Sequence, residues 1–185
     1  GKLAFADGGL TKETVDSKRF GVLIGSGVGG IEAVETATKI LVEKGPKRIT
    51  PFLLPSIIGN TAGSMVAIEL GAKGPNYGIV SACATGTHAL GEALKCLQFG
   101  DADVMLAGGT EAAVTPLSFA GFSSMRAMCT TGNDSPQTAS RPFDAERSGF
   151  VMGEGAGVLL LETEEHAKVR AAAAKQPSST QWQPS

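Results

Sequence analysis

Phe20–Gly25 (FGVLIG) is an unbroken apolar run closed by glycine, the pattern of a strand buried on both faces. The period then changes. Ile31, Val34, Ala37, Ile40 and Leu41 recur at helical spacing and predict a helix over Ile31–Glu43, ended by Lys44-Gly45-Pro46. The segment PFLLP, Pro51 to Pro55, reads as an extended connector because its prolines restrict it. Asn60–Leu70 reads as a helix with Gly71 as its stop. Asn76–Ser81 (NYGIVS) predicts a second strand. Ala84–Phe99 predicts a second strong helix, with Leu90, Ala93, Leu94 and Leu97 facing inward and Gly100 at its end. Asp103–Ala107 (DVMLA) predicts a third strand halted by Gly108-Gly109, and Gly157–Glu162 (GVLLLE) a fourth, with a last helix beginning over Thr163–Arg170. Residues 130–149 are rich in turn formers. Apolar strands alternating with helices predict an α/β fold, a sheet layered between helices. From Ala171 the pattern dissolves into AAAAKQPSSTQWQPS, and residues 176–185 read as a disordered tail.

Composition narrows the picture. The chain has 185 residues, a net charge of −2, 25 glycines, 25 alanines and only 5% aromatic residues. Its core must therefore be made of small and aliphatic side chains with backbone close to backbone. The glycines have no period of three, which excludes collagen. A hydrophobic share of 42% argues against bulk disorder, and a pI of about 5.7 against a polycationic nucleic-acid binder. Three cysteines and two histidines provide no zinc-ligand spacing, and no metal is expected. No apolar run is long enough to span a membrane. The start at Gly1, without methionine or leader, is expected of a sequence that begins inside a longer protein, so the compartment cannot be read.

Two segments could carry chemistry. Gly25-Ser26-Gly27-Val28-Gly29-Gly30 fits G-x-G-x-x-G between a strand and a helix, the context of a dinucleotide-binding turn. However, the acidic residue expected at the end of the next strand is missing, since Glu43 ends a helix. A tight turn with close helix–strand packing explains the glycines as well. The second segment, Ser81-Ala82-Cys83-Ala84-Thr85-Gly86-Thr87-His88, puts a cysteine where a strand turns into a helix. Unpaired N–H groups there favour a thiolate and can stabilise an oxyanion. Position alone leaves Cys83 open between this role and that of a small buried residue. His88 projects about 140° around the helix from Cys83 and is not placed to act as its base. His166, among charged residues, reads as a solvated surface residue. Cys96 reads as core, Cys129 has no comparable setting, and Asp144 with Arg141 and Arg147 reads as loop hydrogen bonding.

The runs SACATGTHALGEAL, DADVMLAGGTEAAVTPL and TASRPFDAERSGFVMGEGAGVLLLE, in this order, resemble the elongating β-ketoacyl-acyl carrier protein synthases. The resemblance covers residues 5–170. It implies a thiolase-like layered fold: the N-terminal half, with a mixed sheet and a buried nucleophile helix, over residues 1–170, followed by a non-family tail over 171–185. It implies that Cys83 accepts an acyl chain as a thioester, which malonyl-acyl carrier protein then lengthens by two carbons. The Cys83 N–H would form half of an oxyanion hole. Val28 and Leu53 would line the acyl pocket, and Lys47, Arg48 and Arg126 would meet an acidic carrier protein. Asn76–Ser81 would pair across a homodimer two-fold. No cofactor is implied. The compartment would be bacterial cytoplasm, plastid or mitochondrion. The family's catalytic histidines, its lysine and the turn completing the oxyanion hole lie in a second half, and neither His88 nor His166 matches them. Gly132 stands where arginine is common and Ser148 where aspartate is common. A non-catalytic scaffold subunit and a dinucleotide-binding module are the alternatives.

Overall fold

The computed structural model describes residues 1–173, which form two compact units, each assembled from separate stretches of chain. The tail expected over residues 176–185 lies outside the described residues. In chain order the elements are α1 (Lys2–Asp7), β1 (Phe20–Gly25), α2 (Ile31–Lys44), α3 (Leu53–Ile57), α4 (Thr61–Leu70), α5 (Thr85–Gln98), β2 (Val104–Glu111), α6 (Pro116–Ser124), β3 (Gly155–Glu162) and α7 (Glu164–Ala173).

The first unit comprises residues 1–27, 59–110 and 156 onward. It holds a sheet in the order β1-β2-β3. β1 and β2 run parallel, Phe20 opposite Val104 and Gly25 opposite Gly109. β3 runs the other way: Thr163 N–H donates to the Asp103 carbonyl, while Gly157 abuts Gly108. The sheet is therefore mixed. All of β1 is buried, so both faces are covered. Phe20, Val22 and Ile24 point to one side, with Val104 and Leu106, against Ala67 and Leu70 of α4 and Phe5 of α1. Leu23, Met105 and Ala107 point to the other, against Ala89, Ala93 and Cys96 of α5. At about 25 cal/mol per Å² of apolar area removed from water, this two-sided burial is the main stabilising term of the unit.

The predicted elements meet several corrections. Gly108-Gly109 does not end β2, which runs on to Glu111. The glycines are there for close approach: a Cβ on Gly108 would strike the Gly157 carbonyl, and one on Gly109 would lie 3.1 Å from Gly86 Cα of α5. Asn76–Ser81 is not a strand. Gly74 N–H donates to the Phe20 carbonyl and Val22 N–H to the Pro75 carbonyl, but the Asn76 side-chain amide then takes the Val22 carbonyl and ends the ladder. PFLLP is not wholly extended, because Leu53–Ile57 is helical. Pro55 sits within the first turn, where its missing N–H costs nothing. In α5 the buried face is Thr85, Ala89, Ala93 and Cys96, whereas Leu94 is 48% exposed. The terminators behave as read: Gly45, Gly71 and Gly100 have φ of 77°, 75° and 75°.

The second unit comprises residues 28–58 and 111–155. Its joints are backbone amides held by carboxylates. Glu35 accepts from Leu117 N–H at 3.1 Å, and Glu154 from Val114 N–H at 2.8 Å. Phe122 meets Phe150 edge to face at 5.1 Å. In the turn-rich loop Asp144 accepts from Glu146 N–H at 2.7 Å and faces Arg141 at 3.8 Å.

Candidate active site

The site is built around a strained turn. Ala82, the residue before Cys83, has φ 50°, a left-handed conformation that a non-glycine residue adopts at a cost of about 1–2 kcal/mol. Ala82–Ala84 then form one 3-10 turn, and α5 begins at Thr85. The bend puts the Cys83 side chain on the surface, exposed, although the helix it introduces is buried along its sheet-facing side. Small residues allow that seating. A Cβ on Gly86 would lie 3.4 Å from Gly109 N, so the first turn of α5 rests on the β2 backbone.

Three bonds that involve side chains hold the turn, beside the backbone bond from Ala84 N–H to the Ser81 carbonyl at 3.1 Å. Ser81 N–H donates to Thr85 Oγ1 at 2.8 Å, and the Thr85 hydroxyl donates to the Ala82 carbonyl at 2.7 Å. His88 Nδ1 lies 2.6 Å from Ser81 Oγ. His88 is exposed and engages Ser81, not the thiol. The helical projection from Cys83 misses this contact because Cys83 belongs to the 3-10 turn, where 100° per residue does not apply. Sequence reasoning assigns no role to Thr85 or Ser81. The sequence signal for them is a threonine two residues after the cysteine at a helix start, which the structure shows to be buried.

The other histidine is not a freely solvated surface group. His166 Nδ1 sits 2.7 Å from Glu162, which also binds Arg170, and Arg170 reaches the Gly8 carbonyl at 2.8 Å. Helix α7 starts directly after β3, so residue 166 stands one turn above residue 162. Cys96 is buried, as read. Cys129, in the second unit, is not inert: its Sγ lies 3.2 Å from Ser148 Oγ, and this bond and the Thr131 amide hold its thiol below the usual cysteine range.

The glycine loop lies against α3 in the second unit. Gly30 N–H donates to the Ile57 carbonyl at 3.1 Å, and a Cβ on Gly30 would collide with the Ser56 carbonyl. Val28, 48% exposed, and Leu53, half-buried, are thus carried by touching segments. Val28 N–H donates to the Glu111 carboxylate at 3.2 Å. A pyrophosphate would meet a carboxylate there instead of free N–H groups, so the loop is badly formed for a dinucleotide. Lys47, Arg48 and Arg126 are all exposed, and Arg126 has φ 57°. Among the described residues no cluster of His, Cys, Asp and Glu could hold a metal, and no helix is long and apolar enough to cross a membrane.

A family model of the β-ketoacyl synthase N-terminal domain matches residues 1–167. The chain belongs to the β-ketoacyl synthase family. Curated relatives include the 3-oxoacyl-[acyl-carrier-protein] synthase 2 of Rhizobium meliloti, 50% identical over 92% of this chain and 41% of the relative. That of Staphylococcus aureus is 53% identical over 88% and 40%. The chain spans about two fifths of the length of the curated synthases it matches. Among solved structures, a type II PKS acyl-carrier protein in complex with its ketosynthase bound to the hexaketide matches with TM-score 0.86 and 35% identity, over 92% of this chain and 43% of that one. A β-ketoacyl synthase from Burkholderia phymatum matches with TM-score 0.79 and 36% identity, over 92% and 42%. The fold is that of the thiolase-like ketosynthases, of which this β-ketoacyl synthase chain carries an N-terminal part.

Proposed function

We propose that Cys83 is the acyl-accepting nucleophile of a β-ketoacyl-acyl carrier protein synthase of fatty-acid elongation. The observation that carries this is an exposed thiol directly after the strained Ala82, at the start of a helix seated on the sheet. The Cys83 thiolate attacks the acyl thioester. Its Sγ–carbon bond forms, the donor's carbon–sulfur bond breaks, and the donor leaves as a thiolate, which takes a proton from solvent. The Cys83 N–H, at the turn into the helix, stabilises the oxyanion. In the complete reaction a malonyl thioester loses carbon dioxide, its carbanion attacks the acyl carbon, and Cys83 leaves as thiolate. Residues 1–170 act as one N-terminal part of such an enzyme.

Val28 and Leu53 line the acyl pocket in this reading, an assignment supported by the contact between their segments. Lys47, Arg48 and Arg126 offer exposed positive charge to an acidic carrier protein. A ketosynthase neighbour solved in complex with an acyl-carrier protein supports such a partner. Pairing of two copies through residues 76–81 completes the proposal.

Incubation with a medium-chain acyl thioester, followed by peptide mass mapping, tests the nucleophile. Acyl label is expected on Cys83 and not on Cys96 or Cys129. Equal label on all three would overturn the assignment. An acyl donor is the right probe, since Cys129 is itself a low-pKa thiol.

A further inference from the structure

On the reading of Cys83 as the acyl acceptor, we infer that Ser81 and His88 form a side-chain clamp that positions it, with His88 a positioning residue and not a base. Ala82 is held in a left-handed conformation without being glycine. Such a residue persists only where its surroundings over-determine it. The two bonds through Thr85 Oγ1 close the turn locally, over residues 81–85. The His88 bond spans seven residues. It fastens the residue before the strained one to the body of α5. There the neighbouring Ala89 is fully buried against the sheet, so the anchor is rigid. Ser81 itself has an extended φ of −149°, so without the His88 bond only the local bonds of the turn resist the relaxation of Ala82 toward negative φ. Cys83 and its N–H, one residue on, would turn with it. The clamp acts on the direction of the thiol and amide, and it works whether His88 Nδ1 donates or accepts the hydrogen.

The test uses the 185-residue chain and the rate of acyl transfer from a medium-chain acyl thioester to Cys83. Alkylation of Cys129 by iodoacetamide, in the other unit, serves as an internal reference. Ser81→Ala and His88→Ala are each expected to slow Cys83 acylation about threefold to tenfold, the span of one net hydrogen bond. The double variant should be no slower than either single one, since both remove the same interaction. His88→Asn, whose side-chain amide can occupy the Nδ1 position, should recover most of the rate. Cys129 should react at the same rate throughout. Alanine variants that acylate at the parent rate, losses that multiply in the double variant, or a loss shared by Cys129 would each overturn the clamp. If the parent chain transfers acyl groups to Cys83 no faster than to Cys129, the nucleophile assignment itself fails, which is a distinguishable result.

Discussion

Cys129 shows how little a cysteine's neighbours in sequence can say about its chemistry. Cys129 lies in an unremarkable run of turn residues, yet it is tied to Ser148, which in turn sits 2.8 Å from Thr131 Oγ1. Donors to sulfur favour the thiolate, so the folded thiol ionises at lower pH than a free cysteine. Ser148→Ala should therefore move the midpoint of Cys129 alkylation to higher pH and slow the reaction several-fold at pH 7. An unchanged pH–rate profile would refute the role of Ser148. This interaction could not be read beforehand, because 19 residues separate its partners. The Cys83 motif is local by contrast, eight residues from Ser81 to His88 that lead into a helix start, although the segment before them is not the strand that its composition predicts. What stayed hidden there was the backbone. Nothing in the word alanine at position 82 announces φ 50°.

Elements were legible where burial is symmetrical and obscure where one side group substitutes for backbone. β1 could be bounded to the residue because both of its faces are covered and its apolar run has no gap. Asn76–Ser81 looks like a strand by composition, but the Asn76 amide takes a ladder acceptor, an event that hydrophobicity does not encode. Helix α6 escaped notice because its apolar residues do not gather on one face: Leu117 and Phe119 are 48% and 42% exposed. The glycines separate cleanly by what surrounds them. Gly91, inside α5, has open space where a Cβ would go, so Gly91→Ala should stabilise the fold by about 0.5–1 kcal/mol. Gly108→Ala would press on the β3 backbone and should destabilise it by about 3 kcal/mol. Urea midpoints of the two variants should move in opposite directions, and a shared direction would contradict the packing. The start of the β1–β2 pair is fastened by Arg19, which makes two bonds to Asp103 at 3.0 and 2.6 Å. These bonds hold the Asp103 carboxyl below the ordinary range. A lowered folded pKa means stability present above the unfolded value of about 4 and lost as the pH falls through the folded one. Because both side chains are more than one third exposed, solvent screening keeps the contribution of the pair small. Asp103→Asn should lower the urea midpoint at pH 7 and have little effect near pH 2.

At the scale of the whole chain, the histidines decide how much of the reaction these residues can run. The sequence contains two. His88 is bonded to Ser81 and His166 to Glu162, and neither bond leads to the thiol. Acyl transfer to Cys83, as proposed, asks for an accessible sulfur and an oxyanion donor, and the thiol is exposed at a helix start. Decarboxylation of a malonyl thioester asks for more, since negative charge builds on the enolate oxygen of the thioester that remains after carbon dioxide departs and must meet preorganised donors. The synthase family is expected to supply these from histidines that match no residue here. The two halves of the reaction should therefore separate in this chain. Acyl-Cys83 should accumulate on incubation with an acyl thioester, as a stoichiometric mass increase that Cys83→Ser abolishes or greatly slows. Addition of malonyl-acyl carrier protein should then release no carbon dioxide above the uncatalysed rate, and no product longer by two carbons should appear. Carbon dioxide release matched by chain extension would show that the described elements hold an enolate-stabilising site of their own. Acylation without extension would place the division between acyl transfer and condensation between the nucleophile turn and the histidines that the family is expected to carry outside these residues.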